Sequence, residues 1–360
     1  MDATEGDAIV YCEGAFATTN GKTAHGLVRR SKRYRLRSVV DSRQAGADAG
    51  ALLEGRPNGI RIEPDVASAA ESARKAGQAA THMVMGLAPD GGRLPSSARD
   101  DVKTAIRLGL NVDSGLHDYL NEDAELRRLA DEHHVILRDV RKPPPRSELH
   151  FFSGKIEQVT SLKVAVLGTD SAVGKRTTAW QIVDGLRAAD NSAELVGTGQ
   201  TAWLQGARYS IVLDTLINDF LAGEIEHAVW SAWNDVKPDV IVIEGQGSIM
   251  NPAYPGGYEI LAAGRPDVVI MQHAPTRREY DGFPGYAMHP IERQIQAIEL
   301  ISGKPVVAIT INHEGLDDAG LRAASADLSA RTGLPAHDVL MEGPGPIVDV
   351  LKGHRRKGTI

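Results

Sequence analysis

The sequence predicts an α/β protein of two successive domains, each a parallel sheet wrapped by helices. Three observations carry that expectation. Short, apolar, β-branched runs alternate with longer amphipathic stretches along nearly the whole chain. A run of three prolines, Lys142-Pro143-Pro144-Pro145-Arg146, interrupts the alternation once. Just beyond it, an apolar strand runs into a glycine-bounded loop ending in Gly-Lys.

The first domain, 1–146, holds candidate strands at Ile9–Cys12, Ser38–Val40, His82–Met85, Asn111–Val112 and Val135–Leu137. Helical patterns lie between them, notably at Val66–Ala76, Ala98–Leu108 and Asn121–His133. This is the strand–helix rhythm of a small Rossmann-like sheet. Asp41 stands where such domains often keep an acid for a ribose, but no glycine fingerprint precedes it, so a nicotinamide site is not expected. The basic segment 29–37 (RRSKRYRLR) reads as a solvated helix face leading into the second strand. Consecutive prolines neither continue a helix nor join a central sheet, so the domain boundary falls there.

The second domain, 147–360, opens with the strand Val164–Leu167 and the loop Gly168-Thr169-Asp170-Ser171-Ala172-Val173-Gly174-Lys175. A helix through Arg176, Thr177 and Thr178 follows. In this layout glycines let backbone N–H groups turn inward, the helix start adds its positive end, and the lysine supplies a cation. The stretch is therefore read as a phosphate-binding site of a P-loop NTPase-like, doubly wound sheet. Two departures from the common pattern matter. Arg176 replaces the Ser or Thr whose hydroxyl binds magnesium, and one extra residue separates the two glycines. An anion site is thus better supported than magnesium-dependent phosphoryl transfer, and no metal is assigned.

Further strands are expected near Glu194–Val196, Val240–Ile243, Val268–Met271, Val306–Ile311 and Val339–Met341. Helices at Ile217–Ala232, Ile291–Ile301, Ala319–Thr332 and Ile347–Leu351 separate them. Such sheets bind ligands beyond the carboxyl ends of their strands. The polar strand tips should therefore converge on the loop: GTGQT at 197–201, Glu244-Gly245-Gln246-Gly247, Gln272-His273 and Asn312-His313-Glu314. Candidate bases are Glu244, Asp170 and His273; structural roles as caps, turn residues or buried imidazoles are their alternatives. Arg277 and Arg278 are candidate carboxylate clamps, and Gln200 and Tyr280 candidate substrate contacts.

A formal charge of −7 argues against a general nucleic-acid or membrane-surface protein. The single cysteine, Cys12, excludes an internal disulfide and reads as a buried core residue. The polar start MDATEGDA is unlike a signal peptide and no apolar run reaches membrane-span length, so a cytoplasmic place is expected. No His/Cys cluster has zinc spacing, and no Gly-x-Ser-x-Gly elbow follows a strand. A homo-oligomer is expected on general grounds.

The loop GTDSAVGK with a later acidic residue and Gly-x-Gly resembles dethiobiotin synthetase and its phosphate-loop relatives. A wider resemblance rests on GKTAHGL, DVRKPP, GTDSAVGKRTTA, GTGQT, EGQG and the Arg-Arg-x-Tyr-Asp-Gly-Phe segment. Together these look like a two-domain P-loop family, long catalogued as a domain of unknown function, that includes D-glutamate N-acetyltransferases. The resemblance implies acetyl-CoA as cofactor and a small acidic amino acid, D-glutamate above all, as partner substrate. Residues 168–178 would then hold the coenzyme's phosphates. The alternatives are an ATP- and magnesium-dependent ligase or kinase like dethiobiotin synthetase, and a nucleotide-sensing module without turnover.

Overall fold

The computed structural model describes residues 4–354 of the chain. The sequence reading of the first residues of MDATEGDA, at positions 1–3, lies outside the described residues. Two compact units emerge, one of residues 1–143 with 200–206 and one of residues 144–199 with 207–360. The division falls inside the proline run, slightly before the expected boundary at 146. The excursion of 200–206 into the first unit was not expected.

The first unit alternates β1 (Gly6–Tyr11), α1 (Lys22–Arg29), β2 (Tyr34–Val40), α2 (Ala49–Glu54), β3 (Arg61–Glu63) and α3 (Val66–Lys75). It continues with β4 (His82–Met85), α4 (Ser96–Arg107), β5 (Asn111–Ser114), α5 (Ala124–His133) and β6 (Leu137–Asp139). The strands form one parallel sheet in the order β3-β2-β1-β4-β5-β6. This is the Rossmann-like arrangement, with its order reversing beside β1. Continuous apolar runs such as Ala8–Tyr11 and Met83–Met85 are buried because helices cover both faces of the sheet.

Local chemistry fixes two expectations in this unit. Asp41 accepts hydrogen bonds from the amides of Gly14 (3.1 Å), Phe16 (2.8 Å) and Arg43 (3.0 Å). Its carboxylate is thus used to close the loop after β1. The basic segment divides differently from the expected helix face. Arg35 and Arg37 lie within β2 and both pair with Asp7 on β1, while Arg33 pairs with Glu5. Cys12 is fully buried, and that burial pushes its thiol well above the ordinary range.

The second unit opens with β7 (Leu162–Gly168), α6 (Lys175–Ala188) and β8 (Ala193–Gly197). The chain then forms α7 (Gln200–Leu204), which belongs to the first unit. There the Thr201 and Thr23 hydroxyls lie 3.1 Å apart, and Gln205 donates to the carbonyl of Gly26 at 2.6 Å. The Arg33 guanidinium lies 3.7 Å from the Trp203 ring centre, and Leu204 is fully buried in that unit's core.

Returning to the second unit, the chain adds β9 (Tyr209–Ser210), α8 (Asn218–Val236), β10 (Val240–Glu244), α9 (Tyr258–Ala263) and β11 (Val268–His273). Then follow α10 (Ile291–Ser302), β12 (Val306–Ile311), α11 (Asp318–Thr332), β13 (Ala336–His337) and α12 (Gly345–His354). The parallel sheet runs β13-β12-β11-β7-β10-β8-β9, with β7 at the centre between β11 and β10. The strand expected at Val339–Met341 is a turn instead. Asp338, fully buried there, accepts from the amides of Leu340 and Met341, so this stretch coils around a carboxylate and the strand comes just earlier. No helix among the described residues is long and apolar enough to cross a membrane.

Candidate functional site

The central strand β7 delivers the loop 168–175 between the tips of β10 and β11, where a parallel sheet presents its ligands. Several of the loop's carbonyl groups are held by side chains. Lys175 Nζ donates to the carbonyl of Asp170 at 2.7 Å. Arg277 donates to those of Ser171 (2.9 Å) and Ala172 (3.3 Å), and Asn312 Nδ2 to that of Val173 (3.1 Å). The amides of Thr169 and Ser171 are donated to the Gln272 carbonyl and the Asp170 carboxylate, which leaves the amides nearer Gly174 as the loop's candidates for an anion. Gly174 turns the chain there with φ of +104°, and α6 starts immediately after it, adding the free N–H groups of a helix start.

Close approach explains a second glycine. A Cβ on Gly245 would come within 2.3 Å of the Val166 carbonyl oxygen and 3.1 Å of the Lys175 side chain. Any larger residue after Glu244 would push the tip of β10 away from the loop. Hence the sequence EGQG.

Asp170 is the hub of the region. Fully buried, it accepts from Ser171 N (2.7 Å) and Asn251 Nδ2 (2.8 Å) on one oxygen. The other oxygen accepts from Asp281 N (2.8 Å) and Arg277 (3.3 Å). Four donors saturate its lone pairs, so the geometry gives it a joining role between the loops after β7, β10 and β11. Arg277 is similarly committed, since it also pairs with Glu314 at 2.9 Å. It braces the loop. Its neighbour Arg278 is exposed.

Glu244 ends β10 with its side chain buried. The amide of Thr198 donates to it at 3.0 Å, and the Thr198 hydroxyl donates to its backbone carbonyl at 2.9 Å. Burial raises its pKa above the usual carboxylate range, and the opposing influence begins with Arg176, then the Thr198 amide and Lys175. Burial lowers Lys175 to about 8, offset in part by Asp170 and Glu244. The loop cation and the strand-end carboxylate therefore share one desolvated region, with Arg176 beside them.

His273 takes a different position. Its Nδ1 lies 2.9 Å from the buried Thr169 hydroxyl, and burial, with Arg331 next in effect, drives its pKa down to about 4. Its charged neighbours Arg331, Glu292 and Arg278 come from α11, α10 and the loop after β11. It stays a neutral imidazole at neutral pH. Tyr280 is buried, and Gln200 sits in the first unit, its side chain against Gly115.

Several contributors carry no signature of their own in the sequence. Asn251 bonds Asp170 and also accepts from the amides of Ala253 and Tyr254, both at 2.8 Å. The Gln272 side-chain oxygen Oε1 accepts from the Thr178 and Thr310 hydroxyls, fixing α6 and β12 to β11. Strand tips could locate Gln272 and Asn312; nothing marks Asn251, deep in a loop. His313, also at a tip, instead bonds Asp338 at 2.5 Å. Among the described residues the only grouping with metal-ligand geometry is Glu5, His82 and Asp113 in the first unit. Its carboxylates are already matched by Arg33 and Arg138.

Comparison with known proteins agrees with this architecture. Residues 150–348 match the domain of unknown function DUF1611_C, a P-loop domain, and residues 42–143 match DUF1611_N, a Rossmann-like domain. A protein of Tritonibacter scottomollicae named D-glutamate N-acetyltransferase is 31% identical over 288 residues, covering 78% of this chain and 83% of its own. A second of that name, from a Pseudoalteromonas species, is 30% identical over 277 residues, covering 74% and 79%. The crystal structure of a DUF1611 family protein from Anabaena variabilis superposes with a TM-score of 0.88 at 27% identity, over 97% of this chain and all of that one. With both domains matched in order and the loop built as its residues imply, this chain is a member of the two-domain DUF1611 family.

Proposed function

We propose that this protein is an acetyl-CoA-dependent N-acetyltransferase whose acceptor is the amine of a small acidic amino acid, with D-glutamate the leading candidate. The names of the two relatives at about 30% identity support the activity. The observation that carries the reading is the placement of Arg176, the residue after the loop lysine, where it counters the buried charge of Glu244. A guanidinium there supplies the positive charge that a magnesium ion gives in triphosphate-cleaving relatives, so phosphates can be held without being cleaved.

Acetyl-CoA carries a pyrophosphate and a further phosphate, which suit the amides near Gly174, Lys175 and Arg176. Transfer requires a neutral amine to attack the thioester carbonyl, a base for its proton and donors for the oxyanion. Glu244 is our base: its raised pKa makes it a better proton acceptor than an ordinary carboxylate. Backbone amides after the strands are our candidates for the oxyanion donors. Arg278 is the cation for a substrate carboxylate. Small-molecule substrates and a homo-oligomeric state complete the proposal.

A magnesium-ATP ligase or kinase is the second reading, favoured by Glu244 ending the strand next to β7. Thermal unfolding separates the two, since a ligand of the folded state raises the midpoint. We expect acetyl-CoA and CoA to stabilise the protein, ATP with magnesium to leave it unchanged, and D-glutamate to release free CoA thiol. Stabilisation by magnesium-ATP alone, with no thiol release, would overturn the acyltransferase reading. Glu244→Gln should then keep CoA binding while turnover falls at least 100-fold, in the usual range for loss of a general base.

A further inference from the structure

Five of the chain's aromatic residues, Tyr254, Tyr258, Tyr280, Phe283 and Tyr286, lie at or next to the two loops that follow β10 and β11, although the whole sequence has only 5 Phe and 8 Tyr. Tyr254 is 55% and Tyr286 58% exposed, whereas Tyr11, Phe16, Tyr34, Trp180 and Tyr209 are buried in the cores of their units. Phe283 lies between them, its ring centre 6.0 Å from Tyr254 at 67° and 6.4 Å from Tyr286 at 84°. In such edge-to-face contacts the rings hold one another in place, and the exposure of Tyr254 and Tyr286 leaves ring surface accessible.

These loops are not slack. Tyr254 N bonds Asn251, and its carbonyl accepts from Ser248 N at 3.1 Å. Tyr280 N bonds the carbonyl of Tyr286 at 3.0 Å, and Phe283 N that of Tyr280 at 3.0 Å. Both loops are tied to the phosphate loop through one carboxylate, since Asp170 holds Asn251 from the first and the amide of Asp281 from the second. Asp281 also accepts from the Ser171 hydroxyl at 3.1 Å. A set of aromatic rings, two exposed and one half-buried, is thus fastened directly to the phosphate loop.

We propose that Tyr254, Phe283 and Tyr286 form the stacking platform for the adenine base of the coenzyme whose phosphates the 168–175 loop holds. This deepens the acetyl-CoA reading and rests on it. A flat heteroaromatic ring joined to phosphates by one sugar matches flat faces beside a phosphate cradle. Stacking on protein aromatics is strong for every base. The pantetheine arm, a flexible chain, has no face to offer them.

The test compares CoA with pyrophosphate and with 4′-phosphopantetheine, which lack the base, on the wild type and on Tyr254→Ala/Phe283→Ala/Tyr286→Ala. Tyr286→Ala alone, at the most exposed position, guards against misfolding of the triple variant. CoA affinity should fall about tenfold or more in the triple variant, and severalfold in the single one, while the base-free ligands bind as before. Unchanged CoA affinity in variants that melt like the wild type would overturn the platform. So would an equal loss for pyrophosphate, which would make the aromatics mere supports of the loop, or for phosphopantetheine, which would assign them to the arm. A changed oligomeric mass with unchanged CoA affinity would make them an interface between copies, again overturning it. If the wild type binds no CoA, the coenzyme reading falls instead, and ADP with the same variants judges the platform by the same criterion.

Discussion

His273 shows how far a side chain's chemistry is set by its surroundings. At the tip of a strand beside a phosphate loop it is an attractive base, but burial holds its pKa near 4. The unfolded chain, with an imidazole near its ordinary value, binds a proton between pH 6.5 and 4 that the folded chain refuses. Stability contributed by the neutral imidazole is therefore full above pH 6.5 and is lost as pH falls toward 4. Between pH 7 and 5 this amounts to about 2 kcal/mol. His273→Gln should remove that part of the acid sensitivity, seen as a smaller drop in denaturant midpoint between the two pH values. Equal drops in variant and wild type would mean the imidazole titrates normally. Among the carboxylates, Asp170 is saturated by four hydrogen-bond donors, whereas burial raises the pKa of Glu244.

The phosphate loop is an element whose shape is imposed by its neighbours as much as by its glycines. Arg277 reaches two of its carbonyls and Asp170, and Asn312 a third carbonyl. Arg277→Met should leave those carbonyls without their external donors and loosen the amides near Gly174. We expect phosphate-ligand affinity to fall about tenfold, with the melting midpoint lowered by a few degrees, in line with losing charge-assisted hydrogen bonds. Calorimetric titration with CoA or pyrophosphate checks it; unchanged affinity would show that the loop holds its shape alone. The loop itself was legible in the sequence because its strand, glycines and lysine are contiguous. Its bracing was not. Arg277 invites the role of substrate clamp because its linear context is a polar loop, and only the adjacency of β11 to β7 turns it back onto the loop. Asn251 was invisible for the same reason. The misplaced last strand has a local cause: Val339-Leu340-Met341 is apolar, but buried Asp338 binds the amides of the latter two and forces a turn.

At the scale of the whole molecule, alternating periodicities and the proline run were enough to foresee two parallel α/β sheets. Periodicity could not foresee that α7, encoded between β8 and β9, would complete the first unit. Trp203 lies under the Arg33 guanidinium, and Leu204 is wholly within that unit's core. A fragment ending at Arg146 should therefore be poorly folded and expose apolar surface. A synthetic peptide spanning 198–207, added in excess, should restore helical circular dichroism and a cooperative melt. A fragment that melts cooperatively without the peptide would show α7 to be an accessory.

The detour of α7 also bears on the order of events during synthesis. Domains made first ordinarily fold first. Here the earlier unit cannot close its core until residue 206 has been made, by which time β7, the phosphate loop, α6 and β8 already exist. The nascent chain thus holds a complete set of first-unit strands that lack the α7 side of their core while the next sheet begins, and the completion of the first fold is timed by the second.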